Sequence, residues 1–92
     1  MFDDFNPYYR WLGIRGSECP PDHYRLLGLE TFEDNTEVIM EAADRQMQHI
    51  RRHQVGQYAE LSQKLLNELA TAKLCLMDPA RKEAYDRELL HG

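Results

Sequence analysis

The stretch from Tyr58 to Met77 constrains the fold of this chain more than any other part of the sequence. Its apolar residues recur at steps of three and four, which is the spacing of one face of an α-helix. They are Tyr58, Leu61, Leu65, Leu69, Ala72 and Leu76, with Leu66 and Cys75 widening the face. Asp78-Pro79 predicts the end of this helix and the start of another, because proline at a first helical position gives up no hydrogen bond. A helix this rich in leucine on one side needs other segments to cover it.

A second amphipathic helix is predicted from about residue 36 to 52, after a cap at Asp34 or Asn35. Its inner face holds Ile39, Ala43, Met47 and Ile50, with Gln46 at the edge where a leucine would be expected. The short loop around Gly56 makes the two long helices antiparallel neighbours. We predict an all-α fold: a helical hairpin (about 36–52 and 58–77) with short helices at about 22–28 and 80–90. The predicted organisation is a segment 1–21 followed by a helical domain 22–90.

Segment 1–21 is aromatic and rich in turn residues. Asn6-Pro7 is typical of a helix N-cap followed by proline at the first position. The run Tyr9-Arg10-Trp11-Leu12-Gly13-Ile14 is echoed by Tyr24-Arg25-Leu26-Leu27-Gly28-Leu29. Each copy predicts one helical turn that a glycine ends. Whether the aromatic side chains cover the hairpin of their own chain or anchor an interface with another chain stays open at this point.

Composition narrows the classes of function. The 92 residues carry a formal net charge of −5, which argues against nucleic acid or an anionic membrane as the main partner. The chain has no long apolar run, and its start lacks the basic region of a secretory signal, so we expect a cytoplasmic location. Cys19 and Cys75 are expected to be reduced thiols, Cys75 within the core.

Three stretches, in the same order and at similar separations, resemble the J domain of DnaJ-type cochaperones over about residues 22–89. The first, which looks like the family's opening Asp-Tyr-Tyr-x-x-Leu-Gly-Val, is Asp22-His23-Tyr24-Arg25-Leu26-Leu27-Gly28-Leu29. The second stretch, which matches the start of the family's second helix, contains Ile39, Ala42 and Ala43. The third stretch, which resembles the end of the family's pattern, contains Ala72, Leu76, Asp78, Arg81, Lys82, Ala84, Tyr85 and Asp86. The run from Trp11 to Tyr24 is also similar to a bacterial group of J-like modules found on multidomain signalling proteins.

The chain departs from that family at the hairpin tip. The family's His-Pro-Asp signature, which engages a DnaK-type chaperone and triggers ATP hydrolysis, is absent, and Arg51, Arg52 and His53 stand in its place. The first half of the second helix is acidic where the family's is basic. We therefore predict a non-catalytic J-like module for protein–protein interaction, serving as an adaptor or assembly part, that does not stimulate a DnaK-type ATPase. The alternative is a divergent cochaperone that still binds such a chaperone.

Two sets of side chains are candidates for binding a partner protein of unknown identity. The basic set at the hairpin tip, suited to an acidic segment, comprises Arg45, His49, Arg51, Arg52 and His53. The aromatic set comprises Tyr8, Tyr9 and Trp11. The competing interpretations are a solvated basic helix end that complements the helix dipole, and aromatic rings that cover the hairpin.

The remaining candidates for chemistry are sparse. His49 and His53 are four residues apart, as metal ligands on a helix can be, but two ligands are too few for a site. Cys75 lies on the inner side of its helix, where a thiol is a packing residue rather than a nucleophile. We predict no enzyme activity, no cofactor and no metal site, and an oligomeric joint remains a further hypothesis for the domain.

Overall fold

The computed structural model describes residues 6–18 and 20–92, and in that part of the chain it contains helices and no strand. The α-helices are α1 (Pro7–Leu12), α2 (His23–Leu27), α3 (Thr36–Arg51), α4 (Ala59–Met77) and α5 (Pro79–His91). Short 3₁₀ turns span Gly16–Glu18 and Gly56–Tyr58. The all-α prediction is confirmed, and the four predicted helices begin and end within one residue of the observed positions. Within the described residues, no helix has both the length and the apolar character needed to cross a membrane.

The two long helices, α3 and α4, form the antiparallel hairpin. Ser62 near the start of α4 contacts Ile50 near the end of α3, whereas Lys73 near the end of α4 contacts Asp44 in the middle of α3. The apolar stripes of both helices face each other. They supply the fully buried residues Ile39, Ala43, Ile50, Leu65, Leu69, Ala72 and Leu76. Burial of these side chains is the main stabilising term of the fold.

Local capping chemistry sets where the helices begin. The Asn6 and Asn35 side chains accept hydrogen bonds from the first free amides of α1 and α3. Asp78 ends α4 and also begins α5, because its carboxylate accepts from Ala80 N at 3.0 Å and Arg81 N at 3.3 Å. The predicted Asp78-Pro79 junction is confirmed.

The two echoed turns fold alike. Gly13 and Gly28 both take the left-handed conformation, with φ of 71° and 77°. The residue after each glycine then donates its amide back into the turn, from Ile14 N to Tyr8 O at 2.9 Å and from Leu29 N to Tyr24 O at 2.8 Å. This is the helix-ending pattern that glycine allows without steric strain.

Two polar side chains are built into the hairpin seam. Ser62 is 0% exposed and donates its hydroxyl to Ile50 O at 3.0 Å. Gln46 donates through Nε2 to Leu26 O at 3.3 Å, so it satisfies a carbonyl at the end of α2 that has no helical partner. Both side chains therefore join helices rather than interrupt the packing.

Helices α2 and α5 are joined by a polar and aromatic cluster. The Tyr24 hydroxyl donates to the Asp86 carboxylate, which also accepts from Lys82 Nζ at 2.9 Å. The Tyr85 hydroxyl accepts from the His23 amide at 2.8 Å, and the rings of Tyr85 and His23 stack with centroids 4.2 Å apart. The bond from His23 to Tyr85 gives a partner to a backbone amide at the start of α2 that no helical carbonyl can reach.

The N-terminal segment packs onto the same core. Residues 1–5 and 19 of the predicted segment 1–21 lie outside the described residues. Of the others, Trp11 and Ile14 belong to one hydrophobic cluster with residues of α2, α3 and α4. The described part of this segment therefore contacts the helical domain of its own chain.

Candidate protein-binding groove

A surface groove of about 350 Å³ lies between α1 and α3. It is lined by Trp11, Leu12, Arg45, Gln46, Gln48, His49 and Arg52. Four of these residues come from the two sets that the sequence singled out separately, namely Trp11, Arg45, His49 and Arg52. The fold of segment 7–14 over α3 brings them together.

The basic wall of the groove follows from helical spacing. Arg45 and His49 are four residues apart on α3, and Arg52, the helical C-cap residue of α3, follows three residues later, so all three lie along one face. With a rise of 1.5 Å per residue, Arg45 and Arg52 are about 10 Å apart along the helix axis. Both arginines are exposed, and within residues 6–18 and 20–92 neither forms an ion pair. The groove thus presents two guanidinium groups that are available to an anion.

The aromatic wall is a single ring held firmly in place. Trp11 is 9% exposed and stacks on His53, with ring centroids 4.3 Å apart and planes 12° apart. The rings of Trp11 and Tyr58 are nearly perpendicular, with centroids 6.0 Å apart. Most of the indole is therefore used to cover the hairpin tip, and only its rim faces the groove.

The other aromatic candidates lie elsewhere. The Tyr8 hydroxyl donates to Glu68 Oε1 at 2.7 Å, which ties α1 to α4. Tyr9 is 57% exposed and does not line the groove. The predicted set Tyr8, Tyr9 and Trp11 is thus split among three locations. Only Trp11 joins the basic residues.

The ring of His53 at the hairpin tip packs against the rings of Trp11 and His49. Burial lowers the pKa of His53, and the positive charges of His49 and Arg52 lower it further. The rings of His49 and His53 are 5.8 Å apart and perpendicular. Residues 6–18 and 20–92 contain no group of three potential ligands that could hold a metal ion.

Cys75 is unlike an activated nucleophile. Burial raises the pKa of the thiol, which donates a hydrogen bond to the Arg81 carbonyl at 3.8 Å. A catalytic cysteine needs the opposite, a lowered pKa in an electropositive setting. Cys19 lies outside the described residues.

Sequence reasoning missed part of the groove. Gln48 stands three residues after Arg45, so the helical spacing that grouped Arg45, His49 and Arg52 could have included it. Leu12 gives no such signal, because its place in the groove depends on how α1 docks.

Comparison of the sequence with models of protein families, and of the chain with curated proteins and with solved structures, finds no match. The resemblance to J domains therefore stays a prediction.

Proposed function

We propose that this chain is a non-catalytic J-like module for protein–protein interaction, and that its groove between α1 and α3 binds an acidic segment of another polypeptide. The observation that carries the proposal is the pair of exposed arginines, Arg45 and Arg52, beside the rim of Trp11 without carboxylate partners among the described residues.

The chemistry of the groove favours carboxylates on a peptide. Arginine binds carboxylates through two parallel N–H···O bonds, and it is enriched at protein interfaces together with tryptophan. Two arginines about 10 Å apart along α3 match carboxylates seven positions apart on a helix that lies alongside it. The Trp11 rim and Leu12 offer apolar contact to the same segment. An acidic amphipathic helix offers carboxylates to the basic wall and apolar side chains to Trp11 and Leu12.

The predicted lack of chaperone activation has its own support. The chain has no His-Pro-Asp, and the ring of His53 at the corresponding end of the hairpin is covered by Trp11. Glu37 and Glu41 place negative charge on the first half of α3, which would repel an anionic docking surface. We propose that the hairpin serves as a scaffold and not as an ATPase trigger.

Titration with a labelled peptide tests the groove. The probe is a fluorescent helical peptide with glutamates seven positions apart, and the control peptide carries glutamines instead. We expect the glutamate peptide to bind, and Arg45→Glu or Arg52→Glu to weaken binding by roughly tenfold or more. Arg87→Glu, which makes the same charge change on exposed α5, should leave binding within about twofold, since it lies outside the groove. Equal loss in all three variants would show general charge attraction and contradict the proposed site.

A second experiment distinguishes the proposed interaction module from a divergent cochaperone. The purified chain is added to a DnaK-type ATPase and phosphate release is followed. We expect no stimulation. A clear stimulation would instead support a divergent cochaperone.

A further inference from the structure

The solvent-facing side of α3 has an ordered arrangement of charge. Opposite the buried stripe of Ile39, Ala43 and Ile50, the exposed residues of one line along the helix are Glu37, Glu41, Asp44, Arg45, Gln48 and Arg52. The first half of the line is acidic and the second half is basic or neutral. The basic half is the wall of the groove described above.

This arrangement is self-complementary about its centre. Glu37 lies seven residues before Asp44, and Arg52 lies seven residues after Arg45. Glu37 and Arg52 therefore each lie about 11 Å along the helix axis from the centre of the line. An antiparallel second copy of the same helix would place its Arg52 beside Glu37 and its Gln48 beside Glu41. A two-fold axis that passes between the two helices at the level of the Asp44–Arg45 peptide generates every contact twice.

We propose that the acidic segment bound by the groove is the first half of α3 in a second copy of this chain, so that two copies pair through antiparallel α3 helices. This inference rests on the proposed function and names its partner. Each copy offers the acidic half to the arginines of the other. The contact is isologous and closes after two copies.

Four of the five charges of this line on α3 are available for the contact, and the fifth, Asp44, pairs with Lys73 at 3.2 Å. Within the described residues, Glu37, Glu41, Arg45 and Arg52 form no ion pair. On α5, by contrast, Lys82 pairs with Asp86 at 2.9 Å and Arg87 pairs with Glu83 at 3.4 Å. Among the described residues, four of the five charges on this face of α3 are thus without an ion-pair partner, and their order along the helix complements itself.

The net charge of −5 opposes association, but only weakly in salt. At physiological ionic strength the screening length is about 8 Å, so distant charges on two copies hardly interact, while ion pairs in contact keep their attraction. A 16-residue helix is about 24 Å long and offers a narrow interface. The pairing is therefore weak and is favoured when copies are held at high local concentration.

Charge reversal in a complementary pair of variants tests the register. Glu37→Arg alone and Arg52→Glu alone each set like charges against each other twice, and each should lower the self-association constant by roughly tenfold or more, measured by sedimentation at about 1 mM protein. An equimolar mixture of the two variants restores both attractive pairs and should associate at least as strongly as the parent chain. The double variant Glu37→Arg with Arg52→Glu should self-associate as well.

Controls separate register from net charge and from folding. Glu88→Arg and Arg87→Glu make the same changes of charge on exposed positions of α5 and should leave association within about twofold of the parent. Circular dichroism confirms that each variant is helical. A parent chain that stays monomeric at about 1 mM, or a mixture that associates no better than its components, would overturn the inference. If the glutamate peptide still binds the groove in that case, the proposed function stands. If it does not bind, both fail.

Discussion

Replacing Trp11 by alanine tests whether the N-terminal segment belongs to the cooperative unit of the hairpin. Trp11 is 9% exposed, stacks on His53 and packs perpendicular to the ring of Tyr58. Its neighbour Tyr9, on the same helix, is 57% exposed. The two aromatic residues therefore form a matched pair in which burial is the main difference.

The expected magnitude follows from buried area. A buried aromatic side chain removes about 150–250 Å² from water, which at about 25 cal/mol per Å² gives about 4–6 kcal/mol as an upper bound. Unfolded chains already bury part of this surface, and alanine retains some of it, so we expect a loss of about 3 kcal/mol. A chain of 92 residues has a total free energy of unfolding of about 5–14 kcal/mol. Trp11→Ala should thus remove a large part of the stability.

Urea unfolding followed by circular dichroism measures the difference. Trp11→Ala should shift the midpoint strongly to lower urea with one cooperative transition, and Tyr9→Ala should change the free energy of unfolding by less than about 0.5 kcal/mol. A loss below about 1 kcal/mol for Trp11→Ala would refute the reasoning, because it would mean that α1 detaches before the hairpin unfolds.

Two further predictions concern the hairpin seam and the start of α2. Ser62→Ala should lower the free energy of unfolding by about 1 kcal/mol in the same urea assay, because the Ile50 carbonyl loses its buried donor but keeps a backbone one; no change would contradict a role for this bond. Burial against Tyr85 lowers the pKa of His23 below its unfolded value of 6.5. The unfolded state therefore takes up the proton first, and stability should fall as pH drops below about 6.5. His23→Phe keeps the ring contact and should flatten this loss between about pH 7 and pH 5, while His91→Phe at the exposed end of α5 should not; equal slopes in both variants would exclude His23 as the cause.

The helices could be predicted because their causes are local. Apolar spacing places α3 and α4, and the caps at Asn6, Asn35 and Asp78 act within a few residues of themselves. The end of α2 at Gly28 can be predicted in the same way, because glycine has no side chain and therefore adopts the left-handed conformation without strain.

What could not be predicted depends on residues far apart in the chain. Ser62 looks like an interruption of the apolar stripe until its partner, Ile50, is known. Gln46 looks misplaced until Leu26 supplies a carbonyl. The groove has the same origin, since Trp11 and Arg52 meet only because α1 docks across the hairpin tip. A pattern along one helix carries no information about which distant backbone group will face it.

The shared residue at the corner between α4 and α5 has a consequence for how this chain can vary. Asp78 is both the C-cap of α4 and the N-cap of α5, so no other residue separates the two helices. One extra residue inserted after Pro79 would turn the following part of α5 by about 100° about its own axis, since an α-helix has 3.6 residues per turn. Tyr85 and Asp86 would then rotate away from His23 and Tyr24. A change of length at this corner would therefore break the contacts that join α2 to α5.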